Sequence, residues 1–327
     1  MTARVTAVLA SILTLALVVA QVILPRLDLF HTWQYALALA ILGIALAGYV
    51  LGAVRGDDGA LGHRIAVAVC GALLIALAGL VSGLMGPDTT VVVKAPGTVA
   101  PLPDIGGAAF FTNAGAETIA RGDATIVFRR MRHRDVIVSS GPPRFLAASS
   151  ALLETAPAPA AYVEAGDAAG NRLTITQPGG VAFLSPVLQF RESQQIAGQQ
   201  HPVDALALPA AHRSVRCVYF FPSQTTQLHL PPDARGKPAI LFEVEDERGK
   251  PLGIGIGRTG QLVELGGLHL RATLGTYPQL IVAAAPHPYA LILGGLLFFG
   301  GLAAAAQKAV TLEKVKRLNR AAGTTMS

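Results

Sequence analysis

Four long apolar runs, three of them crowded into the first quarter of the chain, dominate the pattern of hydrophobic and polar positions. The third, Ile65 to Met85, carries no charged residue. It has the length a helix rising 1.5 Å per residue needs to cross about 30 Å of hydrocarbon. The first, about Val5 to Leu24, is interrupted only by small polar residues and Gln21. It is long for the apolar core of a signal peptide and more spans follow, so it reads as a retained helix. The second covers about Tyr35 to Val54, behind Trp33 and Tyr35, whose rings suit the aromatic belt at a membrane surface. The fourth covers about Tyr289 to Ala306, with Pro286 and Pro288 ahead of it and Lys308 behind it. The pattern predicts spans within 1–85 and 286–307 and a basic tail over 308–327.

Between Gly86 and Ala285 the pattern changes to short β-branched or alternating runs. Strands are predicted at Thr90–Lys94, Ala124–Arg130, Asp135–Ser139, Arg172–Thr176, Val215–Phe221, Ala239–Glu245, Leu252–Arg258, Gln261–Leu265, Leu268–Leu274 and Pro278–Ala284. Turn residues separate them at Gly166–Asn171, Pro178–Gly180 and Arg248–Lys250. A short helix is expected near Phe145–Leu153 and an extended surface loop over the Ala/Pro stretch from Thr155 to Ala161. The expected fold is thus a four-span α-helical membrane protein. An all-β domain, a sandwich or open barrel, is inserted between spans three and four.

Composition supports the membrane reading. Charged residues make up 14% of the chain, against about 25% in ordinary soluble domains. Much of the net charge of +6 comes from the C-terminal tail and one internal cluster, so it points to a membrane edge and not to nucleic acid. Lys308, Lys314, Lys316, Arg317 and Arg320 in the tail, with Arg55 and Arg64 between spans two and three, predict both termini in the cytoplasm. The β domain is then extracytoplasmic and tied to the membrane at both ends. Glycines four apart, Gly48 with Gly52 and Gly79 with Gly83, are candidate helix-contact positions, as are Gly294, Gly295, Gly300 and Gly301.

The chemistry-bearing residues are few. Of eight histidines, three sit at membrane boundaries: His31 and His287 at the outer starts of spans two and four, and His63 at the inner start of span three. A neutral imidazole is an axial ligand for haem iron, and equally an amphipathic residue at home at an interface. The run Arg129-Arg-Met-Arg-His-Arg134 suits carboxylates or anionic headgroups, or simply a solvated strand end. Glu243, Glu245, Asp246 and Glu247 read as a solvated turn or a weak cation site. The two cysteines, Cys70 at membrane depth and Cys217 on an apolar strand, form neither a disulfide framework nor a CxxC pair. No GxSxG, HExxH, P-loop or CxxCH occurs, and Gly253-Ile-Gly-Ile-Gly257 lacks dinucleotide-binding spacing, so no catalytic residue is assigned.

Three segments resemble the ResB-type family of cytochrome c biogenesis proteins. They are Leu27-Asp-Leu-Phe-His-Thr-Trp33; Gly62-His-Arg-Ile65 through Gly79, Gly83-Leu-Met-Gly86 and Val91-Val-Val-Lys-Ala-Pro-Gly97; and Gly275-Thr-Tyr-Pro-Gln-Leu-Ile-Val282 with Leu293-Gly-Gly-Leu-Leu-Phe-Phe-Gly-Gly-Leu302. The layout of three spans, a large domain and a fourth span is similar too. Where the family has a histidine inside its third helix this chain has Val67, Ala68, Val69 and Cys70, which leaves His63 as the nearest candidate. The resemblance implies an accessory subunit of a bacterial inner-membrane cytochrome c synthase. Such a subunit supports outward haem delivery and attachment to apocytochrome c, with His287, His31 and His63 as candidate haem-binding residues. It also implies a tryptophan-rich multi-span haem-handling partner, because this chain has one tryptophan. The alternative is a non-catalytic, membrane-anchored scaffold for another membrane complex.

Overall fold

In the computed structural model the described residues are 2–24, 28–55, 59–130, 136–138, 143–146, 150–176, 182–183, 186–196, 198–226 and 235–323. Two compact units form, one from Met1–Thr90, Arg144–Leu153 and Ile281–Ser327, the other from Val91–Pro143 and Glu154–Leu280.

Four long helices make up most of the first unit: α1 (Thr2–Ile23), α2 (Trp33–Arg55), α3 (Gly59–Met85) and, at the far end of the sequence, α6 (Pro288–Gly323). Each contains a stretch long and apolar enough to span a membrane. Because α3 packs against α1, α2 and α6, it is the most enclosed of the four. Glycine makes the α3–α6 seam close. A Cβ on Gly71 would collide with the Gly294 carbonyl, and one on Gly301 would lie 2.5 Å from the Ala68 nitrogen. Of the glycines predicted to make contact, Gly79 faces Val18 and Leu39, and Gly83 faces the Phe30 carbonyl and Tyr35. Gly48, Gly52, Gly295 and Gly300 face open space, so spacing alone misassigned that half, and it overlooked Gly71. The predicted tail is a continuation of α6 to Gly323. Charge there ends the apolar run without ending the helix, since Leu, Lys, Glu and Arg are all good helix formers.

Strands follow α3 in the chain: β1 (Thr90–Val92), β2 (Val99–Leu102), β3 (Gly107–Phe111) and, after the short helix α4 (Ala116–Arg121), β4 (Ile126–Arg130) and β5 (Val136–Val138). Next come β6 (Arg144–Leu146), β7 (Ala151–Asp167), β8 (Ile175–Thr176), β9 (Ala182–Phe183) and β10 (Val187–Leu188). Then β11 (Glu192–Ile196), β12 (Gln199–Leu208) and β13 (Arg213–Phe220) lead through α5 (Pro222–Thr225) to β14 (Ala239–Asp246) and β15 (Pro251–Gly257). The series closes with β16 (Leu262–Leu265) and β17 (Leu268–Ala284).

Antiparallel pairing sorts these into three sheets. One has the order β1-β17-β7-β10, with β16 also on β17 and β6 also on β7. A second runs β15-β14-β13-β12-β8-β9, with β11 on β12, and the third is β2-β3-β4-β5. In the second unit the first two sheets share one core. Ala161, Val163, Leu270 and Leu274 from one meet Leu206, Val215, Cys217 and Phe242 from the other. A β-rich region with sheet packed on sheet is therefore present, as the alternating runs predict.

Three local expectations are corrected. The helix expected near Phe145–Leu153 is the β6–β7 pair, in register from Arg144 opposite Leu153 to Leu146 opposite Ala151. The loop expected over Thr155 to Ala161 is the middle of β7, with Ala160 and Ala161 fully buried. Small alanines give no alternating signal, yet they let neighbouring side chains close over the strand. The two strands expected over Leu268–Leu274 and Pro278–Ala284 are one strand, β17. Gly275 sits in it where a Cβ would strike the Ile119 carbonyl of α4, and the Tyr277 hydroxyl donates to the Thr112 carbonyl at 2.8 Å.

Candidate functional site

Two of the three boundary histidines come to the same end of the helical unit. Residues Asp28–His31 form a 3-10 turn, after which the Thr32 hydroxyl accepts from the Tyr35 N–H at 3.3 Å and caps α2. Phe30 is buried edge-on against Tyr35, with centroids 5.2 Å apart. A buried polar chain ties three helices together beneath it. The Tyr35 hydroxyl donates to Gln21 Oε1 (3.1 Å), Gln21 Nε2 donates to Ser82 Oγ (3.0 Å), and Ser82 donates to the Gly79 carbonyl (2.9 Å). Sequence reading noted Gln21 only as an interruption. Its partners lie on other helices, and helical period does not reveal them.

On this support the His31 ring is mostly enclosed, its Nδ1 3.9 Å from the carboxylate of Asp88, just beyond the end of α3. His287 opens α6. Its carbonyl accepts from the N–H groups of Ala290 (3.0 Å) and Leu291 (3.1 Å), between two prolines that suit a helix start. The His287 ring stands edge-on to Phe145 (5.9 Å, 80°) and tilted to Tyr289 (5.4 Å, 39°). Gly86 at the end of α3 packs directly on Ala284, so the ends bearing His31 and His287 are neighbours. Trp33 and Tyr289, exposed at 69% and 73%, stand at this same end, where a membrane surface would place aromatic side chains.

His63 lies elsewhere. It is exposed at the start of α3, at the opposite end of the helices, beside Arg64, whose guanidinium donates to the Ala304 carbonyl of α6 at 2.6 Å. The structure thus places His31 and His287 at one end of the helices and His63 at the other.

No hydrogen bond engages either ring nitrogen of His287 among the described residues, and the exposed Asp88 carboxylate stands 3.9 Å from His31 Nδ1, beyond hydrogen-bond length. Among the described residues no group of three or more His, Cys, Asp or Glu gathers as a metal site.

In the second unit, sequence reading missed one half-buried and one buried polar residue, Asp204 and His201. Asp204 faces the sandwich interior, opposite Cys217, and accepts from the backbone N–H groups of Ala205 (2.8 Å) and Gln189 (3.3 Å). Burial pushes its carboxyl above the usual range despite those bonds and the nearby Arg191 guanidinium. His201 is 4% exposed, packs on Phe220 at 4.7 Å, and has no hydrogen-bond partner at Nδ1 among the described residues. Both sit in strands whose burial depends on distant partners. Cys217 is fully enclosed, and burial holds its thiol far up in the protonated form, which removes it as a nucleophile.

The acidic run resolves into separate contacts. Glu243 pairs with Arg216 (3.0 Å), Glu247 contacts His212, and Asp246 accepts from the N–H groups of Arg248 and Lys250 in a tight turn (both 2.9 Å). Glu243, Asp246 and Glu247 thus each have a partner of their own, and no cation site gathers among the described residues. Of the Arg129–Arg134 cluster, Arg129 and Arg130 end β4 and the remainder lies outside the described residues, as does the turn predicted at Pro178–Gly180.

A cleft of about 490 Å³ opens beside β7, lined by Val93, Pro157, Pro159, Phe190, Arg191 and Phe221 among others. The N–H of Val163 bonds toward β10, and that alternation carried back along β7 sets Pro157 and Pro159 at the same edge. Neither has an N–H to offer, so this edge is closed to strand addition.

Compared with protein-family models, with curated proteins and with solved structures, the chain matches none.

Proposed function

We propose that this chain is a membrane-anchored accessory subunit that supports outward haem delivery and attachment to apocytochrome c. In this reading His31 and His287 are the residues that would hold haem, and His63 is not. The observation that carries it is the placing of two imidazoles, one mostly enclosed and one with ring nitrogens that no hydrogen bond engages among the described residues, at a single end of the helices. Bound haem supplies the group that is joined to apocytochrome thiols. The chain's own part is to hold and orient it, with Phe145 and Tyr289 as an aromatic wall beside His287. The β domain then faces outward, both termini are cytoplasmic, and the partner is a tryptophan-rich multi-span haem-handling protein.

The test is the Soret band of the complex purified from a bacterial membrane in mild detergent. Replacing His31 or His287 by Ala is expected to remove or shift it, and replacing His63 by Ala to leave it unchanged. Unchanged spectra in both of the first two variants, together with normal cytochrome c levels in a deletion strain, would sink the reading.

The second reading is a scaffold for another membrane complex. The aromatic packing of His287 favours it, because a ring held between Phe145 and Tyr289 is also a sound interface residue. Loss of a different complex on deletion, with c-type cytochromes intact, distinguishes it.

A further inference from the structure

The end strand of the seven-stranded sheet has an unusual sequence. In β15, Leu252, Ile254 and Ile256 alternate with Gly253, Gly255 and Gly257. The glycine face is closed by β16, since a Cβ on Gly255 would come within 2.9 Å of Val263, and one on Gly253 within 3.1 Å of Leu265. The aliphatic face is open, with Leu252, Ile254 and Ile256 exposed at 38%, 60% and 36%. One edge of β15 pairs with β14, and the other pairs with nothing among the described residues.

Edge strands are ordinarily blunted by charge, proline or a bulge. Here Pro251 and the bulge opposite Val244/Glu245, whose extra residue is Leu252, interrupt only the start of the strand. Leu252 to Ile256 is an uncharged run with an unpaired row of N–H and C=O groups. On the same face of β14, opposite Ile254, Glu243 is already paired with Arg216. The stripe is therefore flanked by a satisfied ion pair and not by repelling charge.

We propose that two copies of this chain associate by antiparallel pairing of β15 with β15, about a two-fold axis perpendicular to the sheet at Ile254. The occupant is a second copy because the strand is its own complement. Residue types read the same outward from Ile254 in both directions, Gly253 matching Gly255 and Leu252 matching Ile256. An isologous contact needs that symmetry. Sliding the axis by one residue sets Ile256 against Lys250 or Leu252 against Arg258, whereas the register centred on Ile254 stacks aliphatic on aliphatic across the junction. The pairing satisfies the exposed ladder of both copies. At the two ends Lys250 of each copy faces Arg258 of the other, so screening by salt strengthens the dimer.

Cysteines added one at a time to a Cys70→Ser chain, whose remaining Cys217 is fully enclosed, read the register directly when the full-length protein is purified in mild detergent and oxidised with copper–phenanthroline. Ile254→Cys is expected to cross-link to itself. Leu252→Cys and Ile256→Cys are expected to cross-link to each other when mixed and neither to itself, because in this register like residues lie four apart along the strand, roughly 13 Å. Ile254→Lys, a surface change, is expected to keep the melting temperature and to weaken dimerisation at least tenfold by light scattering. Self-linking of Leu252→Cys as strong as that of Ile254→Cys, absence of any cross-link, a monomeric parent chain, or a dimer untouched by Ile254→Lys would each overturn the proposal. None of these readouts involves haem, so the result stands apart from the functional reading above.

Discussion

At the scale of single residues, Asp204 carries the clearest consequence. Its carboxyl is raised by burial, so between the unfolded value near 4 and its own higher value the native state binds more protons than the unfolded one. Stability then falls as pH rises through that window. Asp167 and Asp246 act oppositely. Their hydrogen bonds, chiefly from Asn171 and Lys250 respectively, lower their carboxyls, so their contribution is present above about pH 4 and is lost on acidification. Asp204→Asn keeps one acceptor for the Ala205 or Gln189 N–H and removes the charge. It is expected to flatten the decline of melting temperature above pH about 4 while leaving the acid limb in place; a decline as steep in the variant would show that Asp204 is not its source. None of this is legible from sequence, where Asp204 is one acid in an otherwise ordinary strand. The boundary histidines were legible, because a membrane edge is a position along the chain. That His31 and His287 share an end follows from the number of crossings between them, but the neighbours Asp88, Phe145 and Tyr289 come from packing.

At the scale of elements, helices were easier to read than strands because a span announces itself by the absence of charge. What packs against what was harder. Gly71 and Gly301 are the positions where α3 and α6 touch backbone to backbone, whereas Gly48 and Gly52 face open space. Gly71→Leu or Gly301→Leu is therefore expected to lower stability by about 1–3 kcal/mol through overpacking, and Gly48→Leu by less than about 0.5. Thermal unfolding of the purified variants checks this, and equal losses at Gly48 and Gly71 would refute the assignment of the seam. The strands most difficult to read were those with the least conventional composition. Alanine and proline in β7 give no alternation, although the prolines fall at an edge where a missing N–H removes nothing from the ladder.

For the whole molecule, the remaining question is direction across the membrane. Arg4, Arg55, Arg64 and Lys308 lie at the end of the helices away from His31, Trp33, His287 and Tyr289. Excess Lys and Arg mark the cytoplasmic side in short segments, and the expected orientation follows without reference to any relative. Arg64 strengthens it, since its guanidinium spans from α3 to the Ala304 carbonyl and so anchors both helices at the depth where charge begins. In a Cys70→Ser chain, Asp104→Cys on the exposed turn after β2 is expected to react with a membrane-impermeant maleimide in intact cells. Gln307→Cys, exposed on α6 beside Lys308, is expected to react only after the membrane is opened. Cys217 stays silent in both, being fully enclosed. The reverse labelling pattern would turn the chain over and place His31 and His287 on the cytoplasmic face. That would exclude them from outward haem presentation.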